Sequence, residues 1–157
     1  MQKGITQQTV REAFAVLTQF NFFLHAYFIY GNIGETEEEM LYIPKFAREI
    51  GADSISFQKL RVEKFSPLKE VIDANPDYYY KRVGGPVYSK RYAKKELKQI
   101  RNQIRSEFYT LAQIIHIVRK AGHTGIAGWS DVISMLPRLP WLLAGLLAAR
   151  KRKRAKS

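Results

Sequence analysis

Phe22-Phe23-Leu24-His25-Ala26-Tyr27-Phe28-Ile29-Tyr30-Gly31-Asn32-Ile33-Gly34-Glu35-Thr36-Glu37-Glu38-Glu39 decides how the chain is read. Residues 22–30 are almost continuously apolar and aromatic, with His25 the one frankly polar side chain. Alternation is absent, so the run predicts a strand buried on both faces, as in a parallel sheet flanked by helices. Gly31 and Gly34 then mark a tight turn where backbone bends or approaches something closely. Thr36 and Glu39, three residues apart, have the spacing of a capping box, in which each side chain satisfies the other residue's amide. The helix that follows carries Met40, Ile43, Phe46, Ala47 and Ile50 on one face, with Gly51 as its stop. Pro44 lies inside it and is expected to kink it. A second strand over residues 53–62, with Ile55 and Phe57 in alternation, completes a βαβ unit. Such units are parallel and right-handed, and their ligands sit at the carboxyl ends of the strands, here just after Gly31.

Upstream, Val10, Ala13, Phe14 and Leu17 recur at helical spacing and predict a helix over residues 6–20. The chain therefore opens helix–strand–helix–strand. A parallel pair is marginal as a free-standing sheet, so these first residues read like the middle of a domain. Downstream, the stretch 73–80 (Asp-Ala-Asn-Pro-Asp-Tyr-Tyr-Tyr) predicts a turn and an aromatic cluster closing over a core edge. Leu97, Ile100, Ile104, Phe108, Leu111, Ile115 and Val118 form a seam that predicts one long helix over residues 89–120. Pro137 and Pro140 break the helical stretch after Gly125. The last helix, residues 141–149, is far shorter than the roughly 20 residues a bilayer requires. Its tryptophan and leucines, running into Arg150-Lys151-Arg152-Lys153-Arg154-Ala155-Lys156, suit an anionic membrane surface or docking on the protein's own core.

The 157 residues suffice for one domain or a piece of a larger one. Charge divides the chain. Residues 1–80 hold 8 Lys/Arg against 11 Asp/Glu, and residues 81–157 hold 18 against 3. Such a basic half is either a solvated helical extension or a surface that meets phosphate. Cysteine is absent, which removes disulfides and cysteine-ligated zinc or iron–sulfur clusters from this chain. No signal peptide opens the sequence, and the expected location is the cytoplasm, with contact to the membrane periphery as an option. His25, His116 and His123 lack metal-ligand spacing. Glu35, Glu37, Glu38 and Glu39 crowd a helix N-terminus, where the dipole favours them, and no nucleophile–base arrangement is visible. Most aromatic residues lie in the acidic half, so nucleic acid is the less expected partner of the basic one.

Residues 3–70 resemble the radical S-adenosylmethionine enzymes, in particular the subgroup with an N-terminal cobalamin-binding domain. The resemblance rests on Lys3-Gly4-Ile5-Thr6, on Val10-Arg11-Glu12-Ala13-Phe14, on the His25-to-Glu38 part of the stretch quoted above, and on Phe46-Ala47-Arg48-Glu49-Ile50-Gly51-Ala52-Asp53-Ser54-Ile55-Ser56-Phe57. It implies an α/β fold: a partial (β/α) barrel over residues 1–75, followed by a basic α-helical tail over residues 76–157. Residues 6–20 would be the barrel's fourth helix, and the two strands its fifth and sixth.

The implied cofactors are S-adenosylmethionine and a [4Fe–4S] cluster, with cobalamin in the subgroup. The family cleaves S-adenosylmethionine reductively, and the resulting radical abstracts hydrogen from a substrate. By the resemblance, Ile29 and Gly31 would lie beside the cofactor's adenine, and Leu60 and Val62 would close that pocket. The departures are equally plain. The CxxxCxxC motif, the first four strands and the cobalamin domain are missing, and Glu63-Lys64-Phe65-Ser66-Pro67-Leu68 stands where relatives often have a Pro-Gly turn. The chain therefore reads as the C-terminal portion of a longer enzyme or as a cluster-less remnant, inactive by itself. Its expected partner is the missing N-terminal half of the barrel, in the same or another chain. The alternative is a stand-alone basic protein that binds anionic membrane or nucleic acid.

Overall fold

The computed structural model of the protein describes residues 4–126 and Gly128. Helix α1 (Gln7–Leu17) starts at Thr6, whose hydroxyl accepts the Thr9 amide at 3.1 Å. Strand β1 (His25–Tyr30) follows, then α2 (Glu37–Glu49) and β2 (Ser54–Lys59). The two strands are parallel, in register from His25 opposite Ser54 to Tyr30 opposite Lys59. The capping box forms as the spacing dictates. The Thr36 hydroxyl accepts the Glu39 amide at 3.2 Å, and the Glu39 carboxylate accepts the Thr36 amide at 2.7 Å. Gly51, at φ 75°, ends the crossover in the left-handed region.

A short α3 (Pro67–Asp73) comes next, and then a hairpin of β3 (Tyr78–Tyr80) and β4 (Val87–Ser89). Helices α4 (Lys94–Phe108) and α5 (Leu111–His123) complete the described residues. These residues form a mixed α/β structure of five helices and two two-stranded sheets, with no closed barrel. The larger core joins Ala26, Tyr30 and Ile55 of the parallel pair to Met40, Ile43 and Ala47 of α2 and to Leu97, Ile100, Ile104 and Phe108 of α4. Residues on both sides of position 75 thus share one core. A smaller cluster of Leu60, Val62, Ile72 and Val87 lies under the hairpin.

Four expectations change. The strand predicted over residues 22–30 shortens to six residues and is buried on one face only. Helices α2 and α4 cover the Ala26, Phe28 and Tyr30 side. Tyr27 and Ile29, on the other side, stay 64% and 52% exposed. The long helix predicted over residues 89–120 is two helices. Val87–Ser89 is strand, and the chain breaks at Tyr109 (ψ 67°), after which the Thr110 hydroxyl caps α5 by accepting the Gln113 amide. The break is fixed from outside: Tyr109 Oη donates to the Ile55 carbonyl at 2.6 Å and accepts the Ile55 amide at 3.1 Å. The aromatic run at 78–80 is itself strand. Tyr78 and Tyr80 pack on the smaller core, while Tyr79 lies outward against Tyr88. Lastly, α2 continues through Pro44, which is buried. The helices expected around Pro137 and Pro140 and over residues 141–149, and the basic run 150–156, lie outside the described residues. Among the described residues no helix is long and apolar enough to cross a membrane.

One carboxylate ties the elements together. Asp53, just before β2, has a side chain only 2% exposed. Its Oδ2 accepts the Leu24 amide at 2.7 Å and lies 3.1 Å from Lys120 Nζ, while Oδ1 lies 2.6 Å from His116 Nε2. Its carbonyl accepts Gln113 Nε2 at 2.7 Å. The entry to β1, the entry to β2 and three side chains of α5 therefore meet at one residue. Asp53→Ala leaves the Leu24 amide without its acceptor and unhooks α5, so it is expected to cost about 3 kcal/mol in urea unfolding. His116→Ala leaves two partners on the carboxylate and is expected to cost about 1 kcal/mol.

Helix α1 is held more lightly. Arg11 Nη1 lies 2.8 Å from Glu49 Oε2 of α2, and its guanidinium stacks over Phe46 at 4.8 Å. The hydrogen bond from Arg11 holds the Glu49 carboxyl below its ordinary 4.5. A carboxylate depressed in the folded state stabilises fully above its unfolded pKa and loses that contribution as pH falls through the folded value. Chemical shifts of Val10 and Phe14 are therefore expected to report loosening of α1 only below pH 4.5, and Glu49→Gln should abolish that step.

Candidate functional site

The carboxyl ends of the parallel strands are built around Gly31. It sits at φ 75°, and a Cβ there would lie 3.3 Å from Leu97 Cδ2 of α4. Glycine is therefore needed both for the left-handed turn and for the close approach of α4. Gly34, at φ 78°, has open space where a Cβ would be, so its constraint is the turn alone. Glu35 closes the loop, its Oε2 accepting the Asn32 amide at 2.8 Å. The Gly34 amide donates to Tyr78 Oη at 2.8 Å, which pins the loop to the hairpin.

The four residues singled out from sequence all lie at these strand ends, but in different settings. Ile29 projects from the uncovered face of β1, and Gly31 lies in the turn. Leu60 and Val62 are side chains of the smaller core. Their backbone groups are spoken for: the Leu60 amide donates to Tyr30 O, Leu60 O accepts the Val87 amide, and Val62 exchanges hydrogen bonds with Gly84 and Gly85. Ile29 thus borders open space, whereas Gly31 lies against Leu97 of α4 and Leu60 and Val62 belong to the smaller core.

A groove of about 720 Å³ opens at the end of β1, between Ile29, the loop at Asn32 and Gly34, Glu38 and Tyr42 of α2 and, from the start of α1, Gln7. The Leu24 and Tyr30 carbonyls turn toward β2, so by alternation the backbone of His25, Tyr27 and Ile29 turns away. The Ile29 carbonyl accepts Asn32 Nδ2 at 3.3 Å. Across the uncovered face the two strands differ. Strand β1 presents His25, Tyr27 and Ile29, and β2 presents Ser54, Ser56 and Gln58 opposite them. His25 Nδ1 lies 2.6 Å from Ser54 Oγ, and Gln58 Nε2 lies 3.5 Å from Tyr27 Oη.

A smaller groove of about 380 Å³ follows the outer edge of β2, between Ser56, Phe57 and Gln58 on the strand and Arg101 and Arg105 on α4. Near it, burial lowers the Lys59 pKa, and Arg101 and Lys94 lower it further. Burial pushes the Tyr30 phenol up, with Arg101 opposing. The basic residues on this side of the fold were legible as charge on a helix. Their convergence on β2 was not, because it follows from how α4 packs.

The donor set does not fit an iron–sulfur cluster. The chain has no cysteine, and among the described residues no three His, Asp or Glu side chains gather where a metal ion would be held. Comparison with family models, with curated proteins and with solved structures finds no significant match. The function is therefore argued from the strand ends themselves. Gly31→Ala forces both a left-handed alanine and a displacement of Leu97, and it is expected to cost about 2 kcal/mol or more by thermal unfolding. Gly34→Ala carries the backbone strain alone and is expected to cost about 1 kcal/mol.

Proposed function

We propose that this chain contributes the last two strand–helix units of a (β/α) barrel of the radical S-adenosylmethionine kind, and that it does not turn over substrate by itself. The observation that carries the reading is the state of β1. It is a strand of a parallel pair with aromatic and aliphatic side chains on an uncovered face, and its end at Ile29 opens on a groove. Parallel strands in globular folds are ordinarily covered on both faces. Gln7, at the start of α1, lines the same groove as Ile29 and Asn32 at the end of β1. A strand ending just before Gln7 would lie parallel to β1 along the outer edge of β1, and α1 would be its crossover helix. That arrangement supports a preceding β/α unit, in the order the resemblance implies.

On this reading Ile29 and Gly31 provide one wall of an S-adenosylmethionine pocket, with Leu60 and Val62 supporting it from behind. The cluster, and any cobalamin, would be held by residues this chain lacks, so no chemical step is assigned to its own side chains. The alternative, a basic protein meeting membrane or nucleic acid, rests on the basic second half, whose expected last helix and polybasic run over residues 141–156 lie outside the described residues.

The test is to read the coding frame upstream of Met1 and to join what it encodes to this chain. An open frame carrying CxxxCxxC is expected, and in the joined protein the outward amides of Tyr27 and Ile29 should gain protection from hydrogen exchange. A stop codon directly upstream overturns the reading, as does an unchanged exchange rate at those two amides.

A further inference from the structure

We propose that the groove between the outer edge of β2 and helix α4 is a binding site for a small oxyanion, a phosphate ester or a carboxylate, held by Arg101 and Arg105 against Ser56, Gln58 and the Phe57 amide. The proposal rests on the described residues alone and does not depend on the barrel reading.

Donors converge on this edge. The amides of Ser54 and Leu60 donate to β1, so by alternation the amides of Ile55, Phe57 and Lys59 point outward. Tyr109 Oη occupies the outward groups of Ile55. The Phe57 amide is the next donor along that edge, and it borders the groove that Arg101 and Arg105 line. Ser56 and Gln58, which flank it, add a hydroxyl and a carboxamide to the lining.

Arg101 and Arg105 are four residues apart on one helix, where like charges repel and cost a few tenths of a kcal/mol. Neither makes an ion pair among the described residues, although the chain pairs Arg11, Lys45, Lys69, Lys90 and Lys120 with carboxylates. Lys59 and Lys94 add two more cations on the same side, and Lys59 is stacked over Tyr88 at 5.0 Å.

Arg101 Nε is buried and has no acceptor. Buried donors are nearly always paired, and a guanidinium is built to bind two oxygens of one anion at once. Glu96, on the same helix, also has a buried unpartnered oxygen, yet no ion pair joins it to Arg101. An oxyanion bridging Arg101, Arg105 and the Phe57 amide would satisfy the free donor and relieve the repulsion together.

The experiment is a nitrogen–proton NMR titration of the labelled full chain with sodium phosphate and, separately, with sodium acetate, at ionic strength held constant with chloride. Saturable shifts of the Phe57 amide and of Arg101 Nε–H are expected with at least one of the two. Saturation by phosphate alone assigns the site to phosphate esters, and by acetate alone to carboxylates. Saturation by both supports a general oxyanion site. Arg101→Gln and Arg105→Gln are each expected to weaken binding about tenfold. Arg105 is exposed, so its variant keeps the fold even if Arg101→Gln does not. Shifts that grow linearly with both salts, or that are unchanged in Arg105→Gln, overturn the proposal.

Discussion

The carboxylate of Asp53 is the constraint on which the rest of the fold depends. A side chain this deeply buried carries a desolvation cost that only several well-placed partners offset. Here the carboxylate's partners come from two places, the entry to β1 through the Leu24 amide and α5 through His116 and Lys120, while Gln113 of α5 adds a hydrogen bond to the Asp53 carbonyl. The result is a fixed lower end of the parallel pair, opposite the end where Gly31 and the loops stand. Register between β1 and β2 follows from that anchor, because a shift of one residue would carry Ala26 and Ile55 out of the core. The uncovered face is therefore a consequence of register as well as of what the helices leave bare.

In parallel α/β folds function ordinarily concentrates at that opposite end, because loops there are free to vary while the strand bases are held. Glycine makes the difference at this site. It lets α4 approach the end of β1 through Leu97, and that approach brings Arg101 and Arg105 alongside β2. The oxyanion site thus follows from the seating of α4, whereas the barrel reading rests on β1 and the start of α1.

What was legible in the sequence was local. The capping box at Thr36 and Glu39, the stop at Gly51 and the turn at Gly31 depend on neighbours within a few residues, and they stand where their spacing put them. The parallel pairing followed from the helix between the strands. Signals for α3 and the hairpin were present: Ser66-Pro67 is a cap followed by a first-turn proline, and Gly84-Gly85 separates two short aromatic or β-branched runs. The Asp53 cluster could not be read, because its partners lie up to 67 positions away, at Lys120. The cause of the break at Tyr109 was hidden for the same reason. A local signal was present, Thr110 with Gln113 three residues on, but what fixes the break is a strand 54 positions earlier. Full burial of β1 was inferred from its composition, but composition cannot say which covering elements are present.

Tyr109 does to the edge of β2 what a neighbouring strand would do, using one phenol where a strand would use a peptide group. Any polypeptide approaching from that side finds the first rung already occupied and cannot establish a ladder from the base upward. Among the described residues the β1 side has no such stopper along its length beyond Asn32 at the top. The sheet is consequently polar in its capacity for growth, able to lengthen sideways in one direction and blocked in the other. A single hydroxyl at a helix junction thus sets on which flank this molecule accepts company.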